Sequence, residues 1–360
     1  MNNKNDRIKI SIDAMGGDYA PKTTVEGAVL AAKEYKIASV LVGDKSHVQA
    51  ELSKYDYSKL PIEIKHAPDI ITMDESPLNI IRKKKDCSLR IAFDLVKSGE
   101  AQAVVTAGNS GAALTASLFV LDRLKGIDRP AIATIMPTLK GFVIVIDAGA
   151  NNICKPFNLV QFAFMGSVYG KYLLGTAEPR IGVLSNGEED SKGTKLTRES
   201  NALLKESSFN YVGYVEGKDI FKGDVDIVVC DGFVGNILIK VTEGIAESVI
   251  AELKSEIKKS ISSQLGLTLA KKPLSNFKKW FDYSNYGGAP LLGVNGGVII
   301  SHGRSSAKAI KNAIRAAYDI VDRKVIQHLE ESLKESHDLH TVGKKPRLFG
   351  KVLKKEHRKD

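Results

Sequence analysis

Six times along this chain an apolar, β-branched run ends in a loop rich in Gly, Asn or Asp, and a helical pattern follows. Ile8–Ile12 leads through AMGGD to a helix opening near Pro21. AVV leads through TAGNSGA to a helix ending at Leu121, and FVIVIDAGAN precedes a helix near Phe157–Tyr172. RIGVLSNGEEDSKG precedes a helix near Lys195–Lys205, VDIVVCDGFVGN a long helix beginning near Ile237, and GVIISHGRSS a helix over Ala307–Ile326. Ser39–Val42, Ile62–His66 and Ala131–Met136 add shorter strands. Strands that alternate with helices predict a three-layer α/β fold, its mostly parallel sheet covered on both faces. Ligands of such sheets sit beyond the carboxyl ends of the strands, so the loops are expected to gather on one edge and form one site.

No Pro/Gly/Ser-rich linker divides the 360 residues. One α/β domain over residues 7–333, with a basic flexible tail over 334–360, is the expected organisation. The start MNNKNDRIKI lacks the apolar core of a secretory signal. No uninterrupted apolar run approaches the ~20 residues of a spanning helix, so a soluble or peripherally attached protein is expected. Cys87, Cys154 and Cys230 form no CxxC pair, which argues against a zinc site and fits a reducing cytosol. Cys230, inside VDIVVCD, reads as a small core residue.

The net charge of +10 is localised. Residues 250–282 hold seven Lys against three acidic residues, and residues 336–360 hold eight Lys/Arg against three. Such segments suit an acidic partner, membrane headgroups or nucleic acid. Val241, Ile245, Val249, Leu253, Ile257 and Ile261 recur at helical spacing, and Gly266 breaks the pattern. Beyond Pro273, Leu274, Phe277, Trp280 and Phe281 share one side of a short amphipathic stretch flanked by Lys271, Lys272, Lys278 and Lys279. The expectation is a helical hairpin insertion over about 237–282, lying on a membrane surface, packed at a dimer interface, or both.

Glycine loops at helix N-termini present N–H groups and a positive dipole end to phosphate. TAGNSGA, with Gly108, Asn109, Ser110 and Gly111, is the best such candidate; AMGGD, with Gly16, Gly17 and Asp18, is the second, Asp18 being expected to cap the next helix. Each serves equally as a tight turn. Neither GxxxxGK[ST] nor GxGxxG occurs, against a nucleotide triphosphatase and a nicotinamide enzyme. Glu188, Glu189 and Asp190 adjoin Lys192, but neighbours on an extended loop diverge, which disfavours a metal. Lys192 suits a phosphate or a developing oxyanion, or simply pairs with those acids. Asn236, placed where a helix begins, caps it or donates to a thioester oxygen or phosphate; Asp231 precedes it in DGFVGN. His302 is the histidine of a strand-end loop and is a base or a structural imidazole. The absence of a GxSxG elbow removes any demand for a covalent intermediate.

Taken in order, ISIDAMGGDYAP, TAGNSGA, DAGAN, NGEEDSKG, CDGFVGN and YGGAPLLGVNGGVIISHG closely resemble the bacterial phosphate acyltransferases of phospholipid synthesis, from about Ile8 to Leu333. The resemblance implies reversible transfer of a long-chain fatty acyl group from acyl carrier protein to inorganic phosphate. The acyl-phosphate would serve a membrane acyltransferase acting on glycerol 3-phosphate. It also implies a fold related to phosphotransacetylases and to isocitrate/isopropylmalate dehydrogenases, a homodimer in the cytoplasm peripherally attached to the inner membrane face, and no nucleic-acid partner. Within its motifs Asp147 and Asn151 of DAGAN join the phosphate- and substrate-binding set. Two departures stand out: the basic tail passes the family's usual end, and LSNGEED replaces the NIGEE form while keeping Gly187, Glu188, Glu189, Lys192 and Gly193. Phosphate dianion is already a nucleophile, so Lys192, Asn236 and backbone cradles suffice as catalytic groups, with no metal or organic cofactor. The alternatives are a phosphotransacetylase-like enzyme using acyl-CoA, a β-decarboxylating dehydrogenase, and a non-catalytic basic adaptor.

Overall fold

A computed structural model describes residues 8–258 and 287–336, with positions 272 and 339. The aromatic stretch Leu274–Phe281 and the basic tail beyond residue 340 lie outside the described residues. The strands are β1 (Lys9–Asp13), β2 (Ala38–Gly43), β3 (Ile62–His66), β4 (Ala103–Thr106), β5 (Ala131–Thr138) and β6 (Gly141–Ile146). They continue with β7 (Ile181–Leu184), β8 (Tyr211–Val215), β9 (Ile227–Val229), β10 (Ala289–Leu292) and β11 (Gly297–Ile300). The helices are α1 (Lys22–Tyr35), α2 (Lys45–Leu52), α3 (Asn79–Arg82), α4 (Ser88–Ser98), α5 (Ser110–Ala116) and α6 (Pro156–Tyr169). They end with α7 (Lys195–Lys205), α8 (Gly232–Lys258), α9 (Ala307–Asp322) and α10 (Val325–Glu335).

The strands form one sheet in the order β3-β2-β1-β4-β11-β10-β5-β6-β9-β7-β8. Alternate residues of a strand face opposite sides. Ala103 and Val105 join the core beneath α1 and α9, while Val104 joins the one beneath α4 and α5. Helices therefore cover both faces, and the three-layer, mostly parallel expectation holds. β8 and β10 had no counterpart in the sequence reading: YVGYV and APLL are short, and Gly213 and Pro290 weaken their strand signal.

The sheet reverses direction part-way. β1, β4 and β11 are parallel, but β11–β10, β10–β5 and β5–β6 are antiparallel, and β6, β9, β7 and β8 are parallel again. Three reversals leave the β6–β8 group running against the β1–β4 group. The strand-end loops accordingly do not share one edge, as was expected, but form two groups at opposite edges. Periodicity reports that strands alternate with helices; it carries no record of which neighbour a strand pairs with.

Two helix boundaries also move. The helix expected over Ala307–Ile326 breaks at Lys324, whose φ of 52° is left-handed, and α10 follows. The long helix opens at Gly232 rather than near Ile237, with the Asp231 carboxylate accepting from Val234 N at 3.0 Å. Asp231 is thus the cap and Asn236 lies inside the first turns. The apolar stripe from Ile237 through Val241, Ile245 and Val249 to Leu253 does fall on one side of α8, but it is 40% to 60% exposed. The second arm of the expected hairpin lies outside the described residues.

α1 crosses α9 very closely. A Cβ on Gly27 would lie 2.6 Å from Ile310 Cβ and 3.0 Å from Ala307 O, so only glycine permits the approach. Gly27→Leu should force the helices apart and destabilise the protein by about 1–3 kcal/mol, the usual range of core overpacking, read as a lower urea midpoint. An unchanged midpoint would mean that the crossing yields without cost.

Candidate active site

At one edge, the loops after β1, β4 and β11 are tied together over a buried carboxylate. Asp13 ends β1 and is 2% exposed. It accepts from Ser88 Oγ at 2.6 Å and Thr106 Oγ1 at 2.8 Å, and Thr106 Oγ1 in turn accepts from Gly108 N at 3.0 Å. Gly16 must be glycine here, because a Cβ would meet Gly108 N at 2.9 Å as well as the Asp13 carboxylate. Asp18 N donates to Gly303 O at 2.8 Å, which joins AMGGD to the His302 loop. The Asp18 side chain does not cap α1; the cap position is Pro21, with no side-chain bond. Gly17 stands in the same turn at φ 110°.

The side chain of Asn109 is spent on structure. Its Oδ1 caps α5 through Ala112 N at 3.0 Å, and its Nδ2 donates to the carbonyls of Thr72, Met73 and Glu75 at 3.0–3.2 Å. Ser110 is exposed, and the N–H groups of Ser110 and Gly111 have no acceptor among the described residues. Gly111 also packs on Pro77, whose Cγ would lie 2.7 Å from an added Cβ. His302 is exposed, and its Nδ1 accepts from Arg304 N at 3.2 Å.

The opposite edge repeats the device. Asp147 ends β6 fully buried, and its two oxygens accept from Ile132 N, Gly149 N, Ala150 N, Asn151 N and Asn151 Nδ2 at 2.7–3.1 Å. Asn151 Nδ2 also donates to Pro130 O at 2.7 Å. The DAGAN loop is therefore shaped by its own acid and amide, both turned inward. Gly232 N donates to Asn151 O at 2.8 Å, which brings the start of α8 against this loop. Asn236, one turn along, is exposed; its Cβ lies 3.6 Å from the position of a Cβ on Gly149, and its amide makes no hydrogen bond among the described residues.

Lys192 sits on the same edge, in the loop after β7. It does not pair with the neighbouring acids: Asp190 binds Lys205 at 2.6 Å and Asn201 at 3.2 Å instead. Among the described residues the Lys192 ammonium makes no ion pair, and it is exposed. No group of three His, Cys, Asp or Glu among the described residues is placed to hold a metal. Lys192, Asn236, Asp231, Asp147 and Asn151 thus share one edge, and Gly16, Gly17, Asp18, Gly108–Gly111 and His302 the other. α8 spans between them: burial raises the Glu243 carboxyl above its ordinary range, and the nearby His302 opposes that shift.

The profile of a family described as "Fatty acid synthesis protein" matches residues 8–328. The chain is 57% identical over 333 residues to a phosphate acyltransferase of Geotalea uraniireducens, covering 92% of this chain and 96% of the relative. It is 56% identical over 326 residues to one of Geobacter sulfurreducens, covering 91% and 94%. The chain belongs to the phosphate acyltransferase family. As a phosphate acyltransferase it is an enzyme of acyl transfer. A phosphotransacetylase from Streptococcus pyogenes matches with a TM-score of 0.58 at 18% identity over 88% of this chain and 95% of its own. A branched-chain phosphotransacylase from Enterococcus faecalis matches at 0.54 and 18%, over 88% and 99%. These two likenesses show the fold.

Sequence reasoning missed Asp13, Ser88 and Thr106, which organise the first edge. A signal existed: Ile12-Asp13-Ala14 and Ile146-Asp147-Ala148 each close an apolar run with an acid before a glycine loop. Burial raises the Asp13 pKa above its ordinary 3.8, against the lowering bonds from Ser88 and Thr106. A carboxyl raised in the folded state contributes stability that is complete below its unfolded value and lost as pH rises through its folded value. Asp13 therefore erodes stability as pH rises from about 4 through its raised folded value. Asp13→Asn cannot ionise, so its urea midpoint should fall less than that of the parent between pH 4 and 7; identical slopes would show that Asp13 does not titrate differently on folding.

Proposed function

We propose that this enzyme, a member of the phosphate acyltransferase family, transfers a long-chain acyl group from the thioester of acyl carrier protein to inorganic phosphate. The observation that carries this reading is that Lys192 and Asn236, whose side chains have no polar partner among the described residues, lie on one edge beside the DAGAN loop. Phosphate dianion needs neutralising, desolvating and aiming rather than deprotonating. In this reading Lys192 holds the phosphate and Asn236 donates to the thioester oxygen. A phosphate oxygen adds to the carbonyl carbon, the tetrahedral oxyanion forms against Asn236, and collapse breaks the C–S bond. The thiolate leaves with the carrier and takes a proton from water, and the product is acyl-phosphate. Asp147, Asn151 and Asp231 position these groups by fixing the DAGAN loop and the start of α8. The N–H groups of Ser110 and Gly111, without an acceptor among the described residues, are assigned with His302 to the charged substrates at the other edge.

The acyl-phosphate then suits a glycerol 3-phosphate acyltransferase in the membrane, and kinship to isocitrate/isopropylmalate dehydrogenases belongs to the same reading. An acyl-CoA donor is the second reading, supported by the likeness to phosphotransacetylase folds. Phosphate-dependent release of free thiol from palmitoyl-acyl carrier protein, compared with palmitoyl-CoA, tests both. Lys192→Ala and Asn236→Ala should each lower turnover by about 10²–10³, the scale of losing one oxyanion donor, with folding intact. Near-normal turnover in both removes these residues from the mechanism.

Within the expected hairpin over 237–282, we further assign the exposed stripe of α8 to a homodimer and the basic, aromatic residues 250–282 to peripheral attachment at the cytoplasmic membrane face. Among the described residues no helix is long and apolar enough to cross a membrane. A row of large apolar side chains left half exposed is the usual mark of an interaction surface. Val241→Asp with Ile245→Asp should give a monomer by light scattering; a dimer that survives both charges must use another face.

A further inference from the structure

One cavity adjoins the DAGAN edge. Its volume is about 300 Å³, and it lies between the apolar face of α5 with its continuation (Leu114, Leu118, Phe119) and the segment 122–130, with Ala150 and Asn151 as its inner wall. Arg129 and Pro130 enter β5 where β6 ends, so the cavity opens on the edge that carries Lys192 and Asn236. A larger cavity of about 530 Å³, walled by Phe164, Tyr172 and Phe209, lies before the starts of β7 and β8, at the edge away from Lys192. The smaller cavity therefore borders the chemistry.

Its lining is mixed. Leu114 and Leu118 stand one turn apart, half-buried, and Phe119 is 63% exposed at the mouth. Four charged residues line it: Asp122 and Arg123 are engaged by backbone groups, whereas the Asp128 carboxylate and the Arg129 guanidinium are not engaged among the described residues. Arg123 Nη1 donates to Asp128 O at 2.6 Å, and the Asp122 carboxylate accepts from Arg123 N at 2.7 Å. Arg129 makes no hydrogen bond or ion pair among the described residues. It stands near Cys154, whose thiol burial pushes up to about 12 while the Arg129 charge opposes that rise.

An apolar wall opposite amide, carboxylate and guanidinium groups, with the Arg129 cation unengaged among the described residues at the rim, suits a slender amphipathic ligand that carries one anionic end for Arg129. A pure hydrocarbon chain would leave the Arg129 charge without a counter-charge, and a free phosphate would leave the apolar wall wet. At about 300 Å³ the cavity is at the small end of ligand sites, sized for an arm rather than a whole cofactor. We propose that it receives the amide-bearing thiol arm of the acyl donor and that Arg129 binds the phosphate at the end of that arm. The assignment rests on the function proposed above. It makes Arg129 a specificity-determining residue for the donor and leaves phosphate, the acceptor, to Lys192. Carrier-protein and CoA donors both carry such an arm, so the chemistry is shared and the experiment separates the sources.

Initial rates of phosphate-dependent thiol release from palmitoyl-acyl carrier protein, palmitoyl-CoA and palmitoyl-N-acetylcysteamine, which lacks the arm's phosphate, test this in the full-length protein. Arg129→Ala should raise the KM for a phosphate-bearing donor about tenfold and Arg129→Glu further, as expected for losing and then inverting a charge-assisted hydrogen bond. The truncated donor, the KM for inorganic phosphate and kcat should stay within twofold. A rise with either phosphate-bearing donor upholds the site and shows which donor uses it. No rise with either, an equal rise with the truncated donor, or a rise in the KM for inorganic phosphate overturns it. Leu118→Trp, which fills the cavity, should raise the KM for all three donors; unchanged values place the arm elsewhere. Absence of thiol release from the parent protein would remove the proposed function instead. Calorimetric binding of a palmitoyl-CoA thioether to parent and Arg129→Glu would then decide the cavity alone: equal affinities, or no binding to either, overturn it, and a tenfold difference upholds it.

Discussion

Two residue pairs, Leu291 with Ile132 and Leu292 with Ala131, hold the two halves of the sheet together through the β10–β5 ladder. This narrow join is the middle one of three antiparallel pairings, and together the three set the edge at which each strand-end loop lies. Asp147 strengthens the junction by accepting from Ile132 N on β5, at the foot of the same ladder. One carboxylate thus links the central seam to the loop that borders the site.

The halves solve the same local problem alike. A loop that doubles back at a strand end leaves several N–H groups without partners, and in a buried setting each must be satisfied. Asp147 collects four backbone donors and one side-chain donor. Asp13 works through hydroxyls, with Thr106 relaying to Gly108 N. Both acids are withdrawn from solvent and shape backbone. That leaves Lys192, Asn236 and Arg129, exposed and without a side-chain partner among the described residues, free for ligands. The division has an energetic basis: a buried carboxylate already saturated by donors has nothing left to offer a ligand, whereas a solvated ammonium or amide exchanges water for substrate at little cost.

The sequence by itself determined the alternation of strands and helices, the glycine loops at strand ends, the amphipathic stripe of α8, Cys230 as a buried core residue, and the family. Each is a local pattern or an ordered string of motifs, so each is legible without pairing information. β1, β6 and α7 lie within a residue or two of where hydrophobic runs and turn residues put them. Only the tertiary structure decided that the strand-end loops split between two edges, because strand order and direction are non-local. It alone showed that Asp231, not Asn236, caps α8, that the amide of Asn109 is committed to three carbonyls, and that Lys192 stands apart from Asp190. Those outcomes turn on which of several competing partners lies within hydrogen-bond reach, a matter of angstroms between segments distant in the chain. Arg129 is the clearest case: in sequence it is one basic residue among 52, and only the packing of α5 against the DAGAN loop puts a cavity beside it.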